Sequence, residues 1–321
     1  MLKTLLKYIG VGIKEKKTGY KFSPTTANIE MLNFWPHENT ADLWLHKFAA
    51  DRFKDQLTPD NVLSFSSVFG EKSHIGKSPA GTKVFFSGEN LIRFPQYEDC
   101  CFGTVDLSMG FDYTDHPDYV RFPLWILYLF KPDCNYTAIK KQLAHITTSI
   151  RTGYKPDKQF CSLVCSHDVN GIRTLLMETL SNIEQVDSGG IYLNNTNALK
   201  EKYNDHKLSF LNSYKFNICP ENTNKEGYVT EKVFEAIWGG CIPVYWGSNN
   251  NPEPEVLNKD AILFYEEEGD IAALVKQVAD LHANEKRYRE FMMQDRFKPH
   301  AAEYIADMVS EAENRIRKCL Q

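Results

Sequence analysis

Along the second half of the chain, short continuous apolar runs alternate with stretches in which apolar residues recur every three or four positions. "FCSLVCS", "YKFNICPEN", "CIPVYWGS" and "AILFYEEE" have the length and density of buried strands, while "GIRTLLMETLS", "TEKVFEAIWGG" and "DIAALVKQVADLHA" gather their apolar side chains on one helical face. In the middle helix that face is Val233, Phe234, Ile237 and Trp238. Strand and helix in alternation predict right-handed crossovers and a parallel sheet. "PHAAEYIADMVSEAENRIRKCL" closes the chain as an amphipathic helix. In the first half, "ANIEMLNFW", "NVLSFSSVF", "KVFFSGEN" and "CFGTVDLSMGF" read as short strands separated by helical or turn material, so the fold class is again α/β. The patterning changes character in "RTGYKPDKQF", residues 151–160, a polar stretch with glycine, proline and basic residues. Two domains are therefore expected, 1–155 and 156–321, with the last helix free to pack back on the first.

Composition agrees with that division. At 321 residues with 42% hydrophobic positions, the chain can bury a core in each of two ordinary domains. A net charge of −5 argues against broad nucleic-acid binding, which needs a basic face to displace counterions, so any anionic ligand has to be held by a few local cations. No apolar run approaches the roughly 20 residues that cross a bilayer. The opening "MLKTLLKYIGVGIKEKK" lacks the apolar core and cleavage site of a secretory signal. Its Leu2, Leu5, Leu6 and Ile9 share a helical face among lysines, which suits docking on another domain or, alternatively, lying on an anionic membrane surface. A cytoplasmic location with at most peripheral membrane association is expected. In that compartment the eight cysteines read as reduced thiols, with none in a C-x-x-C pair and with Cys161 and Cys165 fitting a buried strand; the sequons "NYT" and "NNT" then carry no meaning.

Candidate chemistry concentrates where strands end. Ligands of parallel α/β sheets bind at the carboxyl ends of the strands. Asn222, Tyr228, Glu231 and Lys232 all follow one such end, and Arg173 follows another. In "YVTEKVFEAIWGG", Thr230 stands at the cap position and Glu231 suits a helical first turn, but Lys232 does not, because the amides there already carry partial positive charge. Either Lys232 points into solvent, or an anion bound at the helix N-terminus relieves the conflict. "FFSGEN" sets Gly88 and Glu89 at a strand end in the first half, where the carboxylate either faces a cleft or caps the next element. Two glycine patterns mislead. "GVGIKEKK" has no strand before it, and in "GEKSHIGKS" Gly70 and Gly76 are separated by five residues where a phosphate loop has four, with Pro79 interrupting the helix that should follow. There is no H-E-x-x-H and no D-x-D, and Asp112, Asp115 and Asp118 read as turn-formers and caps rather than metal ligands.

The block "YKFNICPENTNKEGYVTEKVFEAIWGGCIPVYWGS", residues 214–248, resembles the signature block of the α1,3-fucosyltransferases, the bacterial members most closely. "KVFFSGENL", "MGFDYTDHPDYVRFPLW" and "SLVCSHDVNGIRTLLMETLS" match further segments in the same order, so the resemblance runs from about Ala27 to about Gly247. It implies two Rossmann-like domains facing across a cleft, the GT-B type, with GDP-fucose held mainly by the second domain and the sugar acceptor by the first. Carried over residue by residue, Arg173 and Lys232 would grip the pyrophosphate, Glu231 the ribose hydroxyls, Asn222 and Tyr228 the remainder of the donor, and Glu89 would be the general base. The implied activity is inverting transfer of L-fucose from GDP-β-L-fucose to the N-acetylglucosamine of a galactose-containing, Lewis-type glycan. No cofactor or metal is required, and a divalent ion would at most accelerate the reaction nonspecifically. Alternatives are another nucleotide-sugar transferase on this scaffold or an α1,4 linkage, and, from other classes, a non-catalytic sugar-nucleotide-binding module or a phosphate-loop phosphotransferase. Leucine-rich heptad repeats and a strongly basic tail, present in some family members, are absent from this sequence. The charge in "TNKE", residues 223–226, has no role in this reading.

Overall fold

The computed structural model describes residues 19–35 and 39–321, so the amphipathic opening with Leu2, Leu5, Leu6 and Ile9 lies outside the described residues. Two five-stranded sheets, each parallel throughout, organise the described chain. The first contains β1 (Ile29–Leu32), β2 (Leu63–Ser66), β3 (Thr82–Phe86), β4 (Leu107–Gly110) and β5 (Tyr119–Arg121), ranked in chain order. The second contains β6 (Gln159–Leu163), β7 (Val186–Ser188), β8 (Tyr214–Ile218), β9 (Ile242–Tyr245) and β10 (Leu263–Phe264), in the order β10-β9-β8-β6-β7. These strands are covered on both faces and bury nearly every residue, so β9 reads as an unbroken apolar run while β2 and β8 bury even the polar residues that alternate with their apolar ones, Ser64 and Ser66 in the first and Lys215 and Asn217 in the second. In the second sheet β6 pairs with both β7 and β8, so the chain leaves β6 in one direction and returns on its other side. That reversal opens a crevice at the carboxyl ends of β6 and β8.

Among the described residues, some elements fall where the apolar pattern assigns none. β5 and β7 have three residues each, too short to show a period. The helix Tyr136–Thr152 does carry a helical stripe, Ile139, Leu143, Ile146 and Ile150, all buried, and Asn135 caps it by accepting from the Ala138 amide at 3.0 Å. The expected strand "CFGTVDLSMGF" begins only at Leu107, because Cys100 and Cys101 both take left-handed backbone, with φ of 53° and 57°, in the turn that precedes it. "GEKSHIGKS" is the six-residue helix Lys72–Lys77, which runs through Gly76 and stops ahead of Pro79, so it forms no phosphate-cradling loop.

The last helix, Ala301–Cys319, lies against Tyr136–Thr152 and against β4 and β5 of the first sheet. Glu313 on that helix accepts from Arg52 at 2.7 Å, and the Cys319 carbonyl accepts from the Thr82 hydroxyl at 3.0 Å. The halves are also joined directly. Trp125 stacks on Phe234 with ring centroids 4.4 Å apart, and the fully buried carboxylate of Glu253 accepts from Arg121 at 2.7 Å and from the Trp125 indole at 2.8 Å. One apolar core runs through both halves. Among the described residues, no helix is long and apolar enough to cross a membrane.

Candidate functional site

At the carboxyl edges of the two sheets lies a cavity of about 410 Å³ whose walls include Glu89, Arg173, Asn222, Tyr228, Glu231 and Lys232, so the structure brings together every residue singled out from the sequence. Each is placed by the element before it. After β6 the chain turns through Gly171, whose φ of 79° is costly for a residue with a Cβ, and enters the helix Ile172–Leu180. Asp168 holds that turn by accepting from the backbone and hydroxyl of Thr174 at 2.9 and 2.8 Å. Arg173 is 3% exposed and its guanidinium is held by neutral acceptors: the His167 carbonyl, the Pro220 carbonyl at 3.4 Å and Asn222 Oδ1 at 2.7 Å. Asn222 therefore spends its carbonyl oxygen on orienting Arg173. Because no carboxylate is among those acceptors, the guanidinium keeps its charge for whatever enters the cavity. Burial, and then the charge on Arg173, hold the His167 imidazole below its ordinary pKa and therefore neutral near pH 7.

After β8 the structure corrects two expectations. Thr230 precedes the helix Glu231–Trp238 but makes no side-chain cap; its backbone amide and hydroxyl both donate to Glu221, at 2.8 and 2.7 Å. Lys232 is not without a negative partner either. Its ammonium lies 3.0 Å from the same Glu221 carboxylate, which is wholly buried, and 3.8 Å from Glu231. The first-turn lysine is thus tolerated without any ligand. Burial opposes its charged form, but Glu221 and Glu231 outweigh burial and keep it protonated. Burial likewise would raise the Glu231 carboxyl, yet Lys232 and Lys207 overcome this and hold it below the usual carboxylate range. Tyr228 packs its ring against Phe111 of the first sheet's loops, with centroids 5.0 Å apart, and its buried hydroxyl has no hydrogen-bond partner among the described residues.

Glu89 approaches from the opposite side, on the loop after β3, where Gly88 lies so close to Leu124 that a Cβ would come within 2.7 Å of it. Its backbone is set by Ser87, whose hydroxyl donates to the Glu89 carbonyl at 2.7 Å. Burial raises the Glu89 carboxyl pKa, and the opposing pull of Lys232 and of Arg93, 3.5 Å away, does not cancel it. The site thus faces two fixed cations, Arg173 and Lys232, with one carboxylate of raised basicity. Among the described residues no group of three or more His, Cys, Asp or Glu side chains could hold a metal ion.

Several contributors were not apparent in the sequence. Glu221 sits in "CPEN" beside Asn222, and only the fold brings Thr230 and Lys232 onto it. Lys207, 2.5 Å from Glu235, lines the cavity together with Trp35 and His167. A lysine at each of two helix starts, at 207 and 232, is a signal that points to a convergence of charge.

Two parallel α/β sheets facing each other across a cavity at their carboxyl edges define the GT-B class. Within that class, the family described as glycosyltransferase family 10 (fucosyltransferase), C-terminal, matches residues 154–319, and the α-(1,3)-fucosyltransferase FucT N-terminal domain matches residues 29–128. The chain belongs to glycosyltransferase family 10. It is 30% identical over 256 residues to the α-(1,3)-fucosyltransferase FucT of Helicobacter pylori, an alignment that covers 70% of this chain and 51% of that protein. It is 29% identical over 181 residues to α-(1,3)-fucosyltransferase B of Drosophila melanogaster, covering 54% and 40%. The chain thus spans about half the length of the curated relatives it matches, or less. Among solved structures, an α1,3-fucosyltransferase superposes with a TM-score of 0.67 at 21% identity, over 91% of this chain and 89% of the other.

Proposed function

We propose that this chain transfers L-fucose from GDP-β-L-fucose, with inversion, to an N-acetylglucosamine hydroxyl of a galactose-containing glycan, forming an α1,3 linkage. The carrying observation is the opposition of Arg173 and Lys232, on the second sheet's side of one cavity, to Glu89 on the first sheet's side. GDP-fucose is bound by a crystallised α1,3-fucosyltransferase of the same fold. Here residues 156–321 hold the donor, and residues 1–155 hold the acceptor and supply the base. Arg173 and Lys232 take the pyrophosphate and stabilise the charge that grows on it as the anomeric bond breaks. Glu231, kept ionised, accepts from the ribose hydroxyls; Asn222 and Tyr228 line the remainder of the donor site. Glu89 removes the proton of the acceptor hydroxyl as its oxygen bonds to the anomeric carbon on the face opposite the nucleotide, and GDP leaves. The enzyme works in the cytoplasm, at most peripherally on a membrane face. Calorimetry tests the donor assignment: GDP-fucose and GDP should bind and ATP should not, and the reverse preference would overturn it.

Two further results are expected. The acid limb of the kcat profile should fall at a higher pH than an ordinary carboxylate gives, because burial raises Glu89 and the base works only in its ionised form. Protonation as pH drops through that raised pKa removes activity. A limb in the ordinary carboxylate range would contradict the assignment. Transfer should also persist in excess EDTA, since two side-chain cations already face the leaving group. Complete loss on chelation, restored by one particular metal, would show that the donor site is misread.

A further inference from the structure

The loop between Asn222 and Tyr228, whose ends line the cavity, reaches loops of the first half, and its charged stretch "TNKE" acquires partners there. The Lys225 ammonium lies 2.6 Å from Asp112 Oδ1 and 5.0 Å over the ring of Phe111, both on the loop after β4. Gly227, at φ of 76°, runs so close to the Phe111 carbonyl that a Cβ would come within 2.7 Å of it. At the loop after β3, Asn90 Nδ2 donates to Thr223 Oγ1 at 2.7 Å, while Asn90 Oδ1 accepts from the Ile92 amide at 3.2 Å. Asn90 is 2% exposed and Thr223 half-buried, so the bond is partly shielded from bulk water. The loop is equally fixed within its own half: Asn224 Oδ1 accepts from the Asn249 amide at 2.7 Å, and Ser248 Oγ from the Gly227 amide at 3.1 Å.

The covalent neighbours give the bond its meaning. Asn90 directly follows Glu89, and Thr223 directly follows Asn222, whose carbonyl oxygen holds the Arg173 guanidinium. Glu89, Asn90, Thr223, Asn222 and Arg173 thus form one short chain of covalent and hydrogen-bonded links from base to donor cation. We propose that Asn90 and Thr223 are positioning residues, whose hydrogen bond between the two halves fixes Glu89 at its working distance from the donor; this rests on the function proposed above. A base displaced by about 1 Å loses up to roughly 100-fold in rate, while a donor held by its own half does not notice the displacement.

The test compares wild type with Thr223→Val and Thr223→Ser, measuring kcat, acceptor KM, GDP-fucose affinity by calorimetry and thermal unfolding. Thr223→Val should lower kcat about 10- to 100-fold with donor affinity within a few-fold of wild type. Thr223→Ser, which restores the hydroxyl, should recover most of the loss. If the Val variant is too unstable to assay, Asn90→Ser removes the amide donor but keeps a capping oxygen for Ile92, and carries the same expectation. Wild-type kcat in the Val variant overturns the proposal. So does a parallel loss of kcat and donor affinity, which would make Thr223 a donor contact, or a well-folded Ser variant with no recovery. A wild-type protein that binds no GDP-fucose and transfers none overturns instead the function on which the proposal rests.

Discussion

Glu89→Gln is expected to lower turnover by about two to four decades, the usual contribution of a positioned general base, while GDP-fucose affinity stays within a few-fold of wild type. The substitution keeps side-chain size and leaves in place the backbone bonds with Ser87 that shape the loop. It removes the basicity that burial has enhanced, together with the negative charge that faces Arg93 at 3.5 Å. The same variant should lose the acid limb of the pH profile. A purely capping role for Glu89 predicts a lowered unfolding temperature with a modest kinetic loss, and stopped-flow turnover alongside thermal unfolding separates the two. Near wild-type turnover in the Gln variant would remove Glu89 from the chemistry.

Lys232→Ala is expected to do two kinds of damage. Loss of a charge-assisted bond to the pyrophosphate should weaken donor binding by about 1.5–3 kcal/mol. Independently, it leaves the Glu221 carboxylate, fully buried, without its cation, which should lower folding stability by about 3–5 kcal/mol. The pairing of Lys232 with Glu221 is what makes the second effect foreseeable; the sequence alone suggests a lysine that could be removed without consequence for folding. The two effects separate in the double variant Glu221→Gln/Lys232→Met, which removes both charges: stability should return towards wild type while donor affinity does not. Arg173→Ala should weaken the donor similarly, but with no charge left unpaired, since its acceptors are all neutral. Calorimetry and urea unfolding of the four proteins check this. Normal GDP affinity in both single variants would sink the donor assignment.

How much of this was legible in the sequence follows from what each feature depends on. β2, β3, β6, β8 and β9 are buried along most or all of their length, so local apolar density announces them, and the helix Glu231–Trp238 declares itself through Val233, Phe234 and Ile237. Strand order implied where ligands bind, and the signature block, with the matching segments that hold Glu89 and Arg173, narrowed the residues to six that line one cavity. What could not be read is the pairing of charges between segments. Glu221 is an acidic residue at the end of an apolar run, and nothing in its neighbours says that it will accept from Thr230 and Lys232 rather than face the ligand. Lys225 and Thr223 looked like excess polarity in a turn because their partners, Asp112 and Asn90, lie more than a hundred residues earlier. Thr230 stood at a cap position by local rule, and a tertiary carboxylate took both its donors.

The central claim is that fucose passes from the cation side of this cavity to an acceptor activated from the carboxylate side, and the configuration and position of the new bond test it most directly. GDP-β-L-fucose incubated with the wild-type chain and a panel of type 1 and type 2 disaccharides should release one GDP per fucose transferred. Proton NMR should show an α-anomeric fucose on the 3-hydroxyl of N-acetylglucosamine in the type 2 acceptor. A product that keeps the donor's β configuration would contradict the account.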